Sequence, residues 1–122
     1  MRTFTTFFVV AVASIGCSSP SSSDGTPGLI GSCNNENPAG ATPPIRMCSE
    51  FRGSADASTL SPRCAGSLKG TWSTSACPTG KRVGGCRFVS GSNEETTWFY
   101  DDVTVDSVKA GCAEANQTYV AP

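Results

Sequence analysis

The chain has 122 residues, a net charge of −1 and no histidine. That length allows one domain plus tails, the small charge gives no global field to select nucleic acid or an acidic substrate, and the missing histidine removes the commonest general base and metal ligand. Seven cysteines in so short a chain indicate an oxidising compartment, and none is arranged as C-x-x-C, so thioredoxin-like redox chemistry and most zinc sites lack their usual signature.

Met1-Arg-Thr is a short basic start, and Phe4 to Ile15 is an apolar run interrupted by Thr5, Thr6 and Ser14. The run is too short to span a bilayer as a mature helix and has the right length for the apolar core of a secretory signal. Ala11-Val-Ala13 offers a small-x-small site with a cut after Ala13. Ser14-Ile15-Gly16-Cys17 instead resembles the lipobox of bacterial lipoproteins, which is cut before the cysteine and carries lipid on its sulfur; Ser14 stands where that family usually has an aliphatic residue. Parity favours the lipoprotein resemblance, because removing one acylated cysteine from seven leaves six that can all pair. The Ser/Pro/Gly-rich stretch after Cys17 is a flexible tether of the kind such proteins have. Ser18 rather than Asp after the cysteine resembles the pattern sorted to the outer membrane. The resemblance implies diacyl or triacyl anchoring, durable at about 0.8 kcal/mol per buried CH₂. The expected layout is a signal peptide over 1–16, a lipid-anchored flexible tether over 17–32 and a cysteine-rich α+β domain over 33–122.

Within the body, Asn34 to Pro44 is a loop by composition, and Arg46 to Phe51 reads as a strand. Residues 57–68 read as a weak helix capped by Asp56 or Ser58, with Leu60, Cys64 and Leu68 on one face. Pro62 is tolerated if that helix starts at Ser58 or Ser61. Thr71-Trp72-Ser73 resumes as strand. Cys77 to Cys86 is a glycine-rich connection whose Gly80-Lys81 lacks the upstream glycine and following Ser/Thr of a phosphate loop. A hairpin then pairs residues 86–90 with 96–100 around Gly91-Ser-Asn, with Trp98 and Tyr100 on one face and Phe99 on the other. Thr104 caps a helix carrying Val105, Val108 and Cys112 and ending near Asn116, and Thr118-Tyr119-Val120 closes the chain as strand.

The region from Phe51 to Trp72 echoes the one from Phe99 to Tyr119. Aligning Cys64 with Cys112 places Phe51 on Phe99, Leu60 on Val108 and Ala65 on Ala113; after a one-residue gap Thr71-Trp72 falls on Thr118-Tyr119. The expected fold is therefore α+β: a small disulfide-stabilised domain of two strand-helix-strand units, the second with a β-hairpin. If the units are equivalent, Cys86 pairs with Cys112, and Cys33 or Cys48 pairs with Cys64, leaving the other for Cys77. Cys33–Cys64 with Cys48–Cys77 is the favoured set among the fifteen pairings that six cysteines permit.

For chemistry, the paired carboxylates Glu94-Glu95 and Asp101-Asp102 project to opposite faces of a strand and make no natural acid/base couple. Asp101, Asp102 and Asp106 lack the alternation and central glycine of a calcium loop. No catalytic residue, metal site or cofactor is expected. Asn116-Gln-Thr118 is a glycosylation sequon, relevant only in a eukaryotic host. From Ala57 to Asn93 every charge is positive, whereas Glu94 to Glu114 is acidic apart from Lys109. That segregation reads either as complementarity inside the fold, with Arg87 across the hairpin from an acidic residue, or as a basic edge for an anionic partner. Lys81, Arg82, Arg87, Trp98 and Tyr100 are the candidate binding residues. From Cys17 onward the chain resembles the small cysteine-rich lipoproteins of Gram-negative bacteria. The resemblance implies a membrane-anchored envelope protein; the basic residues and aromatics add the expectation of a binding or interaction module for an envelope protein, glycan or anionic lipid, and the small net charge argues against nucleic acid. A purely structural envelope protein, and a secreted or periplasmic small hydrolase or inhibitor, are the alternatives.

Overall fold

The computed structural model describes residues 27–36, 40 and 42–122; the expected signal, Cys17 and most of the tether lie outside them. The fold is α+β. In chain order the elements are β1 (Leu29–Asn35), β2 (Met47–Arg52), α1 (Ala57–Gly66), β3 (Thr71–Ser73), β4 (Arg82–Ser90), β5 (Asn93–Tyr100), α2 (Val105–Glu114) and β6 (Thr118–Val120). The strands form one six-stranded antiparallel sheet in the order β3-β1-β2-β5-β4-β6.

Ordered structure starts earlier than the expected onset at Cys33. The Gly53 N–H donates to Gly28 O at 2.9 Å, the Arg52 guanidinium to Pro27 O at 3.4 Å, and Leu29 stands opposite Arg52 on β2. Residues 29–32, assigned to the tether, are thus part of the sheet. They also change the expected units: β1 pairs with β2 as β4 pairs with β5, so a strand pair precedes each helix rather than the second alone.

A single row of paired residues crosses the sheet: Trp72, Cys33, Ser49, Thr97, Cys86 and Tyr119. Residues directly opposite in antiparallel strands point to the same face, so these six share one side. The row reads alike from either end: aromatic, cysteine, hydroxyl, hydroxyl, cysteine, aromatic. Its midpoint is a hydrogen bond between the Ser49 and Thr97 hydroxyls at 2.9 Å. Two residues before each cysteine a glycine receives the ring of the closing aromatic. A Cβ on Gly31 would lie 2.4 Å from the Trp72 ring, and one on Gly84 2.5 Å from that of Tyr119; only glycine lets those rings lie down on the sheet.

Both helices cover this face, because each is bonded to it through sulfur: Cys33–Cys64 joins β1 to α1 and Cys86–Cys112 joins β4 to α2. Helix α1 packs on β1 and β3, and α2 on β4 and β6. Asp56 caps α1 by accepting from the Ser58 N–H, and Thr104 caps α2 by accepting from the Ser107 N–H. The first helix starts at Ala57, so Pro62 lies inside it rather than in the expected first turn. The missing N–H leaves the Ser58 carbonyl without its helical donor. Ser58 and Pro62 are both exposed, so water can take that place. Helix α2 ends on Asn116 in the left-handed region, with the Gln117 N–H bonded to Cys112 O at 2.8 Å and the Asn116 N–H to Ala113 O at 3.1 Å. Helix α1 leaves through Lys69, also left-handed, by a wider turn in which Leu68 N–H reaches Arg63 O at 3.2 Å. That wider turn holds the one-residue gap of the alignment. Val105, expected on the buried face of α2, is exposed, while Val108 and Cys112 are buried.

On the opposite face, residues 74–81 cross from β3 toward β4 and are fastened by Cys48–Cys77. Cys48, Cys77, Trp98 and Tyr100 form one buried cluster there, whereas Phe99 faces α2 with Val103 and Val108. Among the described residues the largest fully buried side chains are Cys33, Cys48, Cys64 and Cys112, so the centre of the core is largely cystine. Replacing Cys86 and Cys112 together by serine is expected to lower stability by about 2–4 kcal/mol, read from the denaturation midpoint in urea. Full reduction is expected to abolish the near-ultraviolet dichroism of the buried aromatics.

Candidate functional site

The sequence draws attention to Lys81, Arg82, Arg87, Trp98 and Tyr100. The structure brings four of them to the end of the sheet beneath residues 74–81 and leaves Arg87 apart. The Arg82 guanidinium lies 4.0 Å over the Trp98 ring and donates to Pro78 O at 2.7 Å and Cys77 O at 2.6 Å. The Tyr100 hydroxyl donates to Pro78 O at 3.0 Å. Arg82, Trp98 and Tyr100 therefore clasp the crossing loop, and burial raises the Tyr100 phenol above its ordinary value, opposed by nearby Arg82. Arg87 stands opposite Thr96 and Thr118, not opposite an acidic residue, which corrects the expected cross-hairpin pair.

A residue that pattern reading passed over organises this end. Glu50, buried in β2, accepts from both Arg52 Nε at 3.0 Å and Arg52 Nη2 at 2.8 Å, and from the Cys77 N–H at 3.2 Å, with Arg82 Nη2 3.7 Å away. Its signal in the sequence was a lone acid at an inward strand position between Cys48 and Arg52. The segregated charges meet across the fold. Arg63 reaches Glu95 at 3.7 Å and Lys81 reaches Asp101 at 3.3 Å, while Arg46 binds both Asp101 and Asp102. Hydrogen bonds from the Arg46 side chain and backbone hold the Asp102 carboxyl below its ordinary value. Complementarity inside the fold thus accounts for part of the charge pattern, through Arg63 and Lys81 on the basic side and Glu95 and Asp101 on the acidic one. Among the described residues no cluster of metal-ligating side chains occurs and no helix is long and apolar enough to cross a membrane.

Open space lies on the helix face, where the central strands β2 and β5 carry no packed helix. A cleft of about 390 Å³ sits between α2 and these strands, and one of about 200 Å³ sits between α1 and the same strands. Under the alignment on Cys64 and Cys112 about half of each lining corresponds. Phe99, Val103 and Val108 in the larger cleft match Phe51, Ala55 and Leu60 in the smaller. At three further matched positions Asn93, Glu95 and Arg63 line the smaller cleft where Ile45, Met47 and Gly111 line the larger; the other residues, such as Arg52, Phe88 and Glu94 in the smaller and Thr97, Ser107 and Gln117 in the larger, have no counterpart in the opposite lining. No family model, curated protein or solved structure matches this chain.

Replacing Glu50 by Gln is expected to cost about 3 kcal/mol, since it leaves Arg82 short of its charge partner in a buried setting; Lys81→Ala and Arg87→Ala are expected to stay within about 0.5 kcal/mol. Denaturant midpoints separate the two classes. For Asp102, whose folded value is depressed, the stabilising contribution is present above the ordinary value of 3.8 and is lost as pH falls through the lower folded value. A carboxyl NMR titration is expected to place the midpoint below 3.8, and Arg46→Ala to raise it part of the way, since the backbone N–H at that position still donates to Asp102.

Proposed function

We propose that this chain is a lipid-anchored protein of the bacterial cell envelope, held in the outer membrane through Cys17, and that its body is a binding module rather than an enzyme. One observation carries the anchor. The six cysteines at 33, 48, 64, 77, 86 and 112 are all consumed in three disulfides, so Cys17 is the odd sulfur of seven. A lone cysteine behind an apolar run and ahead of a serine-rich stretch fits acylation, and disulfides fit an exported body. With β1 starting at Leu29, the leash from Cys17 reaches no more than about 40 Å even fully extended, which keeps the domain close to the membrane surface.

The binding reading is supported by the side-chain inventory. The chain has no histidine, every cysteine among the described residues is in a disulfide, and Asp101, Asp102, Glu50 and Glu95 are each held by arginine or lysine. A nucleophile with an adjacent base does not assemble from these groups. The matched row, the paired glycines and the equivalent disulfides support a further reading: one strand-pair, helix and closing-strand unit used twice, with the second and fifth strands joined across the midpoint. Such doubling gives a short chain one continuous sheet and two helix-lined clefts.

Intact mass of protein extracted from membranes is expected to show loss of residues 1–16, acyl chains on Cys17 and the six-hydrogen deficit of three disulfides. An unacylated Cys17 together with freely alkylated downstream thiols would overturn the reading.

A further inference from the structure

The two matched clefts differ in a way that packing does not require. In the smaller one, the Arg63–Glu95 ion pair at 3.7 Å contributes charge and bulk to the lining. In the larger one the matched positions are Gly111 and Met47, and no lining residue is charged. Gly111 sits inside α2, where glycine costs about 1 kcal/mol relative to alanine. A Cβ there would meet none of the described residues within 4 Å, so no close neighbour among them demands the glycine. Its consequence is open space: the cleft keeps about 390 Å³, within the range of small-molecule sites, against about 200 Å³ for its counterpart.

The lining also limits what can enter. Thr97 already shares its hydroxyl with Ser49 at 2.9 Å, and Ser107 donates to Thr104 O at 2.7 Å. The Gln117 side-chain amide remains as a polar group for a guest, beside Ile45, Met47, Phe99 and Val108. An ion would find no countercharge and would lose its hydration. An extended peptide would find no free edge in the cleft, because β2 and β5 are each hydrogen-bonded on both sides and Cys86 of β4 is paired with both Thr97 and Tyr119. A folded partner needs roughly 800 Å² on each side for a stable interface, more than so small a hollow presents.

We propose that the cleft between α2 and the central strands binds one neutral, predominantly apolar small molecule carrying at most a single hydrogen-bonding group, and that Gly111 keeps the site open. The site deepens the binding-module reading and is independent of the anchor.

The test uses the full chain with Cys17→Ser, oxidised and free of detergent, so that its outcome does not depend on acylation. Titration with the neutral probe phenylnaphthylamine is expected to give a saturable, one-to-one rise in fluorescence. Its anionic relative anilinonaphthalenesulfonate, which differs by one sulfonate, is expected to bind at least about tenfold more weakly. Gly111→Leu is expected to abolish saturation while the unfolding midpoint holds or rises. Met47→Glu, which restores a charge at the matched position, is expected to do the same and serves if the leucine variant loses its near-ultraviolet dichroism. Absence of saturable binding, or binding that survives in a folded Gly111→Leu or Met47→Glu variant, overturns the proposal. Equal affinity for the two probes overturns the assignment of a neutral ligand.

Discussion

Sulfur–sulfur bonds are what the rest of this structure depends on. A domain of this size buries a modest fraction of its surface, and its apolar residues are few. The positions where a larger protein would place Leu or Phe are taken here by Cys33, Cys48, Cys64 and Cys112, the most deeply buried side chains among the described residues. Each disulfide replaces a layer of packing. Cys33–Cys64 and Cys86–Cys112 hold short helices, one interrupted by Pro62, against strands they would otherwise leave. Cys48–Cys77 holds the loop that covers the other face, and around it Arg82, Tyr100 and Glu50 satisfy carbonyls and an N–H that a bare loop would strand.

Because the helices are fastened to the outer strands, the centre of the sheet is left uncovered on their side. A helix laid across β2 and β5 would have filled the clefts. Placing the helices to either side instead creates two hollows with a shared floor, Phe51 and Glu95 toward one and Phe99 and Met47 toward the other. The cost is exposed apolar surface in a small protein, and α1 and α2 meet it differently. One closes its hollow with the Arg63–Glu95 pair; the other leaves its hollow open at a glycine.

Charge supports the architecture more than it advertises a partner. Arg82 looked available for an anion when read along the chain, since every neighbour from Ala57 to Asn93 is uncharged or basic. In the fold it is mostly buried over Trp98, near Glu50, a residue far away in sequence. Arg46, Asp101 and Asp102 likewise come together only when β2 and β5 lie side by side.

Local chemistry was enough to determine several features. Thr104 before an apolar-periodic segment set the start of α2, alternation set the inward faces of Trp98, Tyr100 and Phe99, and the Cys64–Cys112 echo pointed to Cys86–Cys112, while the fold chose Cys33 over Cys48 for Cys64 and Asp56 over Ser58 as the cap of α1. What lay beyond it were the features that depend on which strands become neighbours. Leu29 to Ser32 carry no strong pattern and are ordered because β2 and β3 offer partners. Gly31 and Gly84 look like flexible spacers until Trp72 and Tyr119 are laid on them. Glu50 is an ordinary acid until Arg52 and Cys77 are folded onto it. The open cleft at Gly111 exists only between elements, so no stretch of residues taken singly contains it; register and topology, which are long-range, decide where space is left.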